Sequence, residues 1–187
     1  MKNPLISQSE AFKKEAGALL KKSKILSFLK SYGCVRLTGS YRLGLMLNGD
    51  IDIHITNPGV TKDFAIEALN KLIKQGFFNG YLFYDWIKFR KAEFPKGYYL
   101  GLKTTFNQKK WKIDIWFLQK NDEKEIELMD LIEKNLDKKS RLTILKFKDI
   151  RNSRNLEIPS SKIYQAVIKK GITNPKEFLK NVCQELD

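Results

Sequence analysis

The chain has 187 residues, 42% hydrophobic, 30% charged and 12% aromatic. That is enough apolar surface for one packed domain with or without an appendage, and it excludes a compositionally disordered chain. Lys plus Arg number 35 against 21 for Asp plus Glu, a formal net charge of +14, which favours a polyanionic partner such as RNA, DNA or nucleotide phosphates, although scattered lysines also decorate ordinary solvated surfaces. The one histidine, His54, cannot build a multi-histidine metal site or complete a Ser/His/Asp hydrolase.

The chain opens MKNPLISQSE with no sustained apolar run, and no window approaches the roughly 18 apolar residues of a membrane span. Cys34 and Cys183 match neither a disulfide framework nor a metal knuckle and read as buried thiols in a reducing cytoplasm. A cytoplasmic protein, neither exported nor inserted, is expected.

From Ser7 to about Lys30, Phe12, Ala16, Leu19, Leu20 and Leu26 recur at helical spacing, with Ser7 and Glu10 as a capping box. Gly33 ends this helix, and Cys34–Thr38 is a short strand leading into Gly39 and Ser40. Tyr41 to Leu47 has room for a helical turn or two. Asp50 to Ile55 then alternates without exception, Asp50, Asp52 and His54 on one face and three isoleucines on the other, the pattern of a half-buried strand.

Thr61 caps a helix whose stripe of Phe64, Ala65, Ala68, Leu69, Leu72 and Ile73 stops at Gly76. Three strand-like runs follow, Tyr81 to Arg90, Tyr98 to Phe106 and Trp111 to Leu118, a β-meander with turns at 95–97 and 107–110. The remainder is helical: Glu123 to Leu136, Ser140 to about Ile150, Ser160 to Lys170 closed by Gly171, and a last helix opened by Asn174 and Pro175. The expected fold is α+β. A mixed sheet of about five strands carries helices on one face over residues 1–118, and residues 119–187 form a helical C-terminal cap.

Residues i and i+2 of a strand share a face roughly 6.5 to 7 Å apart, so Asp50 and Asp52 span a gap that divalent ions can bridge. Like charges on one face are costly without cations between them. The run KIDIWF repeats the pattern around Asp114, a third carboxylate on another strand that would complete a ligand set for two Mg²⁺ ions. Upstream, Gly39 and Ser40 stand where a strand becomes a helix, a place where glycine lets a phosphate approach the main chain. Taken alone, such a Gly-Ser is more often an ordinary turn, and a lone Asp114 an ordinary surface residue.

Jointly, LTGSYRLGLMLNGDIDIHI and the later KIDIWF resemble the polymerase-β-like nucleotidyltransferase superfamily. The shared pattern is a hydrophobic-Gly-Ser motif, Asp-x-Asp in a hydrophobic strand, then a lone Asp on a later strand. The resemblance covers roughly residues 33–118. It implies that Gly39 and Ser40 hold a nucleoside triphosphate, that Asp50 and Asp52 bind metal, and that Asp114 binds the ion that activates an acceptor hydroxyl. The implied activity is Mg²⁺-dependent transfer of a nucleoside monophosphate from NTP, ATP among the candidates, to a small molecule, a protein or RNA, with release of pyrophosphate. The alternatives are the antitoxin or partner-binding member of a toxin–antitoxin pair and a nucleic-acid-binding module without chemistry.

Arg42 is a further candidate for a phosphate, against an exposed arginine; His54 for acceptor or nucleotide, against simple packing. Lys88 and Lys103 are candidates for triphosphate or acceptor. In the basic stretch 138–154, Lys146, Lys148 or Arg151 closes over phosphates or grips RNA, against a cap helix with its lysines in water. The aromatics of the meander serve as core or as a stacking platform.

Overall fold

The structure, a computed structural model, describes residues 3–91 and 94–183, the last two by backbone alone. Asn3 caps the first helix by accepting a hydrogen bond from the Leu5 amide, and Pro4 supplies the fixed φ of a first turn, so α1 spans Pro4–Ser23 and starts ahead of the expected Ser7 box. The helix also ends sooner than its apolar spacing predicts. The Ser23 hydroxyl donates to the Leu20 carbonyl and accepts from the Ile25 amide, and Lys24 turns left-handed at φ 54° before α2 (Ile25–Leu29) resumes. The break turns Ile25 and Leu29 into the same core as Leu19 and Leu20.

The chain continues as β1 (Cys34–Thr38), α3 (Gly39–Leu43), β2 (Asp50–Thr56), α4 (Lys62–Gln75), β3 (Gly80–Asp85), β4 (Tyr98–Phe106) and β5 (Lys109–Leu118). Helices α5 (Glu123–Asn135), α6 (Lys138–Ser153), α7 (Ser160–Ile168) and α8 (Pro175–Cys183) follow. The short helix begins at Gly39 rather than Tyr41. β3 stops at Asp85 because its side chain accepts hydrogen bonds from the Ile87 and Lys88 amides and turns the chain. The β4–β5 turn is tighter than expected: Asn107 and Gln108 alone have positive φ, and Lys109 already pairs with Phe106. Cys34 is exposed, contrary to the buried thiol expected, because it opens β1 at the sheet edge; the Cys183 side chain lies outside the described residues. Among the described residues no helix is long and apolar enough to cross a membrane.

The fold is α+β, a five-stranded mixed sheet in the order β1-β2-β5-β4-β3, in which only β2 and β5 are parallel. Period-2 alternation gives the sheet two unlike faces. Ile51, Ile53 and Ile55 of β2, Ile113 and Ile115 of β5 and Leu100 and Leu102 of β4 face α1, α2 and α4 in one core. Helices α5 to α8 enclose a second core, joined by Leu43, Leu45 and Leu47 from the segment between β1 and β2.

Strand register orders the other face into rungs. Asp50, Lys112 and Lys103 form one, Thr38, Asp52, Asp114 and Gly101 the next, and His54, Trp116, Tyr99 and Tyr84 the third. The apolar rungs behind them hold this alignment in place. Ile53, fully buried in the middle of β2, is therefore the test position: Ile53→Ala lowers the unfolding free energy by about 2–5 kcal/mol in urea titration.

Candidate active site

The carboxylate rungs floor a cavity of about 1080 Å³ roofed by α5, α6 and α7 and lined by Gly39, Ser40, Asp50, Asp52, Asp114 and Lys148 among others. The structure thus brings five of the six sequence-derived site residues together. Asp52 and Asp114 are direct register partners on parallel strands, and Asp50 lies two residues along the same face.

Each carboxylate has a different environment. Asp50 accepts a hydrogen bond from the Asn48 side chain at 2.8 Å, while burial raises its pKa. Asp114 is gripped from both sides, by the Tyr99 hydroxyl at 2.6 Å and the Lys112 ammonium at 2.8 Å. Gly101 makes room for that tyrosine, since a Cβ there would sit 2.7 Å from the Tyr99 oxygen. Burial first, and the hydrogen bond to Asp114 second, raise the Tyr99 pKa. Burial opposes the charge of Lys112, but the hydrogen bond to Asp114 and the three aspartates outweigh it and raise its pKa.

Asp52 is the least compensated. Burial, followed by the charges of Asp114, Glu125 and Asp50, pushes its carboxyl up to about 7. A glycine is needed beside it: a Cβ at Gly39 would overlap the Asp52 Oδ2 atom, and Gly39 also adopts φ +59°.

Ser40 does not face an open turn. The Lys148 ammonium donates to its Oγ at 2.7 Å and to the Leu45 carbonyl at 2.7 Å, and the Tyr164 hydroxyl shares a 3.1 Å hydrogen bond with the same Oγ. Burial, then the neighbouring Arg151, brings the Lys148 pKa down to about 7; burial raises that of Tyr164 to about 12.

The structure thus selects Lys148 and Arg151 from the basic stretch as lining residues and leaves Lys146 exposed. Tyr164 escaped sequence reasoning because Ile163, Ala166 and Val167 around it spell a core stripe. Asn48, which donates to Asp50, lies in the irregular segment ahead of β2 and carried no sequence signal of that role.

Arg42 is not brought to this cavity. Its guanidinium pairs with Asp130 and Glu133 of α5, both at 2.7 Å, because two residues past Ser40 on a helix is a large rotation away from the serine. His54 is buried, with Nε2 3.7 Å from Glu125, and burial lowers its pKa. Lys88 and Lys103 are both exposed, Lys103 beside Lys112 in register.

Among the described residues no three His, Cys, Asp or Glu side chains form a ready-made ion site. By donor chemistry the residues do fit Mg²⁺, a hard ion that takes carboxylate oxygens. Asp52, buried among three other carboxylates, is where a divalent cation would relieve the most repulsion.

No protein-family model matches the chain, and no curated protein does. Solved structures match its fold. The Cid1 poly(U) polymerase with Mg and 3′-dATP matches at TM-score 0.58 and 21% identity, over 83% of this chain and 48% of that one. A cytoplasmic RNA terminal U-transferase matches at TM-score 0.57 and 21% identity, over 84% and 47%. The non-canonical poly(A) polymerase complex GLD-2–GLD-3 matches at TM-score 0.53 and 12% identity, over 89% and 58%. The chain spans about half the length of the first two. At these identities the likeness shows the fold alone, which the chain shares with these polymerases and this transferase.

Lys148 offers a test of the site's electrostatics. The unfolded lysine holds its proton up to the ordinary value of 10.5, whereas the folded one releases it at about 7. The unfolded state therefore binds more protons between these values, and this group adds stability as pH rises through that window. Urea unfolding from pH 7 to pH 10 should show wild type gaining stability relative to Lys148→Met; parallel curves would contradict the assigned pKa.

Proposed function

We propose that this chain, built on the nucleotidyltransferase fold, moves a nucleoside monophosphate from a nucleoside triphosphate to a hydroxyl of an acceptor and releases pyrophosphate. The supporting observation is the register pairing of Asp52 with Asp114, with Asp50 alongside, on the floor of a cavity that also holds Ser40 and Lys148. A surface strand would not bury paired aspartates, because β-structure disfavours them and like charges opposite one another cost further.

In this reading residues 1–118 are the palm and residues 119–187 the cap that closes over it. Asp50, Asp52 and Asp114 would hold Mg²⁺, whose charge would neutralise the triphosphate and ease loss of the acceptor proton. The remaining work belongs to side chains already in place. Lys148 Nζ and Ser40 Oγ present positive charge and a hydroxyl to phosphate oxygens at the cap side. Tyr99 and Lys112 fix the orientation of Asp114, where the acceptor hydroxyl would lie. One bond forms, between acceptor oxygen and α-phosphorus, and one breaks, between α-phosphorus and the pyrophosphate bridge oxygen. The protein contributes position and charge rather than a covalent intermediate.

The three carboxylates then separate by role. Asp114→Asn keeps Mg²⁺-dependent NTP binding but loses about a hundredfold or more in transfer, and Asp50→Asn loses both. Equilibrium binding of a fluorescent NTP and label transfer from α-³²P-NTP in host extract measure the two. Wild-type transfer by Asp50→Asn would refute the assignment.

A further inference from the structure

A second cavity of about 540 Å³ opens from the same face beyond Asp114, towards β3. It is walled by the third rung, where Trp116, Tyr99 and Tyr84 lie side by side across three strands. The turn after β3 adds Trp86 and Phe89, and Phe94 completes the wall. The rings contact one another: Tyr84 stacks on Trp86 at 5.2 Å and 25°, and Phe94 lies 4.7 Å from Trp86 and 5.8 Å from Trp116. The turn is anchored by Asp85 and by the Trp86 amide donating to the Gly97 carbonyl at 3.0 Å.

Three of these rings are open to solvent, Phe89 by 63%, Tyr84 by 42% and Phe94 by 40%. A core would hide them. Phe89 lies in the stretch Trp86-Ile87-Lys88-Phe89-Arg90-Lys91, which interleaves aromatic and basic residues, and the three cations are exposed.

We propose that this hollow is the acceptor site and takes the unpaired terminal nucleotide of a single-stranded RNA, its base stacked on the rings and its ribose hydroxyls directed to Asp114. The proposal rests on the transfer reading above and names its acceptor. Aromatic faces stack any base, and the flanking cations meet the negative backbone. Adjacent rungs of a strand stand about 6.5 to 7 Å apart, a spacing similar to that between a base and the hydroxyls of its own ribose.

The test uses the full chain with a 5′-fluorescein-labelled uridine decamer, the same decamer without label, a blunt duplex of equal length and free uridine. Anisotropy of the labelled decamer reports affinity, and tryptophan fluorescence read with the unlabelled one reports contact with Trp86 and Trp116. The single strand should bind and quench. Phe89→Ala with Phe94→Ala should weaken it about tenfold or more, Phe89→Tyr should retain affinity, and Ile73→Ala, an exposed apolar residue of α4 on the other side of the sheet, should leave it unchanged.

Unchanged affinity in the double variant overturns the proposal, as does a duplex or free uridine bound as tightly as the single strand. Mg²⁺-dependent NTP binding, measured in parallel, separates the two readings. If RNA binding depends on the rings while no label is ever transferred, the hollow stands as a single-strand RNA-binding surface and the transfer reading, with the acceptor role, falls. If transfer occurs to another acceptor while the rings are indifferent to RNA, the reverse holds.

Discussion

Everything on the functional face depends on the parallel pairing of β2 with β5. These strands are distant in sequence, yet their register sets Ile51 against Ile113, Ile53 against Ile115 and, between those rungs on the opposite face, Asp52 against Asp114. A slip of one residue would drive the aspartates into the core and the isoleucines into the cavity, so apolar packing on one side enforces the carboxylate alignment on the other. The hydrophobic effect thus holds together charges that repel. The surroundings offset part of the repulsion, through Asn48 at Asp50 and through Lys112 and Tyr99 at Asp114. Asp52 retains the largest share, and its raised pKa is the mark of a site folded around a demand for positive charge.

The second half of the chain completes what the sheet begins. Helices α6 and α7 bring Lys148 and Tyr164 to Ser40, so that one hydroxyl ties both helices to the start of α3. A buried lysine held by a serine and a carbonyl is poised to be charged by an arriving anion. Asp130 and Glu133 tie α5 to α3 through Arg42, fixing the roof by an ion pair while leaving the cavity clear. The larger cavity under the C-terminal helices and the aromatic cavity then flank the same carboxylate rungs.

Most of the fold was legible because its signals are local: strict alternation in Asp50 to Ile55, the Thr61 cap, the glycine stops. The boundaries that moved did so through side-chain hydrogen bonds that periodicity does not register, at Asn3, Ser23 and Asp85. The three aspartates could be read from pattern, since Asp52 and Asp114 each stand on a polar strand face between buried isoleucines and Asp50 opens the same alternation one pleat earlier. Tyr164 could not, because only tertiary packing distinguishes it from the core residues at its flanks. Arg42 shows the converse: proximity to Ser40 in sequence said nothing about direction, which the rotation of α3 and the acidic face of α5 decided. The meander aromatics were visible as core or platform, but which of them form one rung was not, since those rings align only after register joins three separate strands.

The most direct measurement is paramagnetic relaxation by Mn²⁺, standing in for Mg²⁺, with a non-hydrolysable nucleoside triphosphate added to ¹⁵N-labelled protein. The account predicts that amide signals of residues 50–52 and 112–114 broaden first and together, with residues 39–40 close behind. Broadening confined to surface acidic residues such as those of α5, with residues 50–52 and 112–114 untouched, would contradict it.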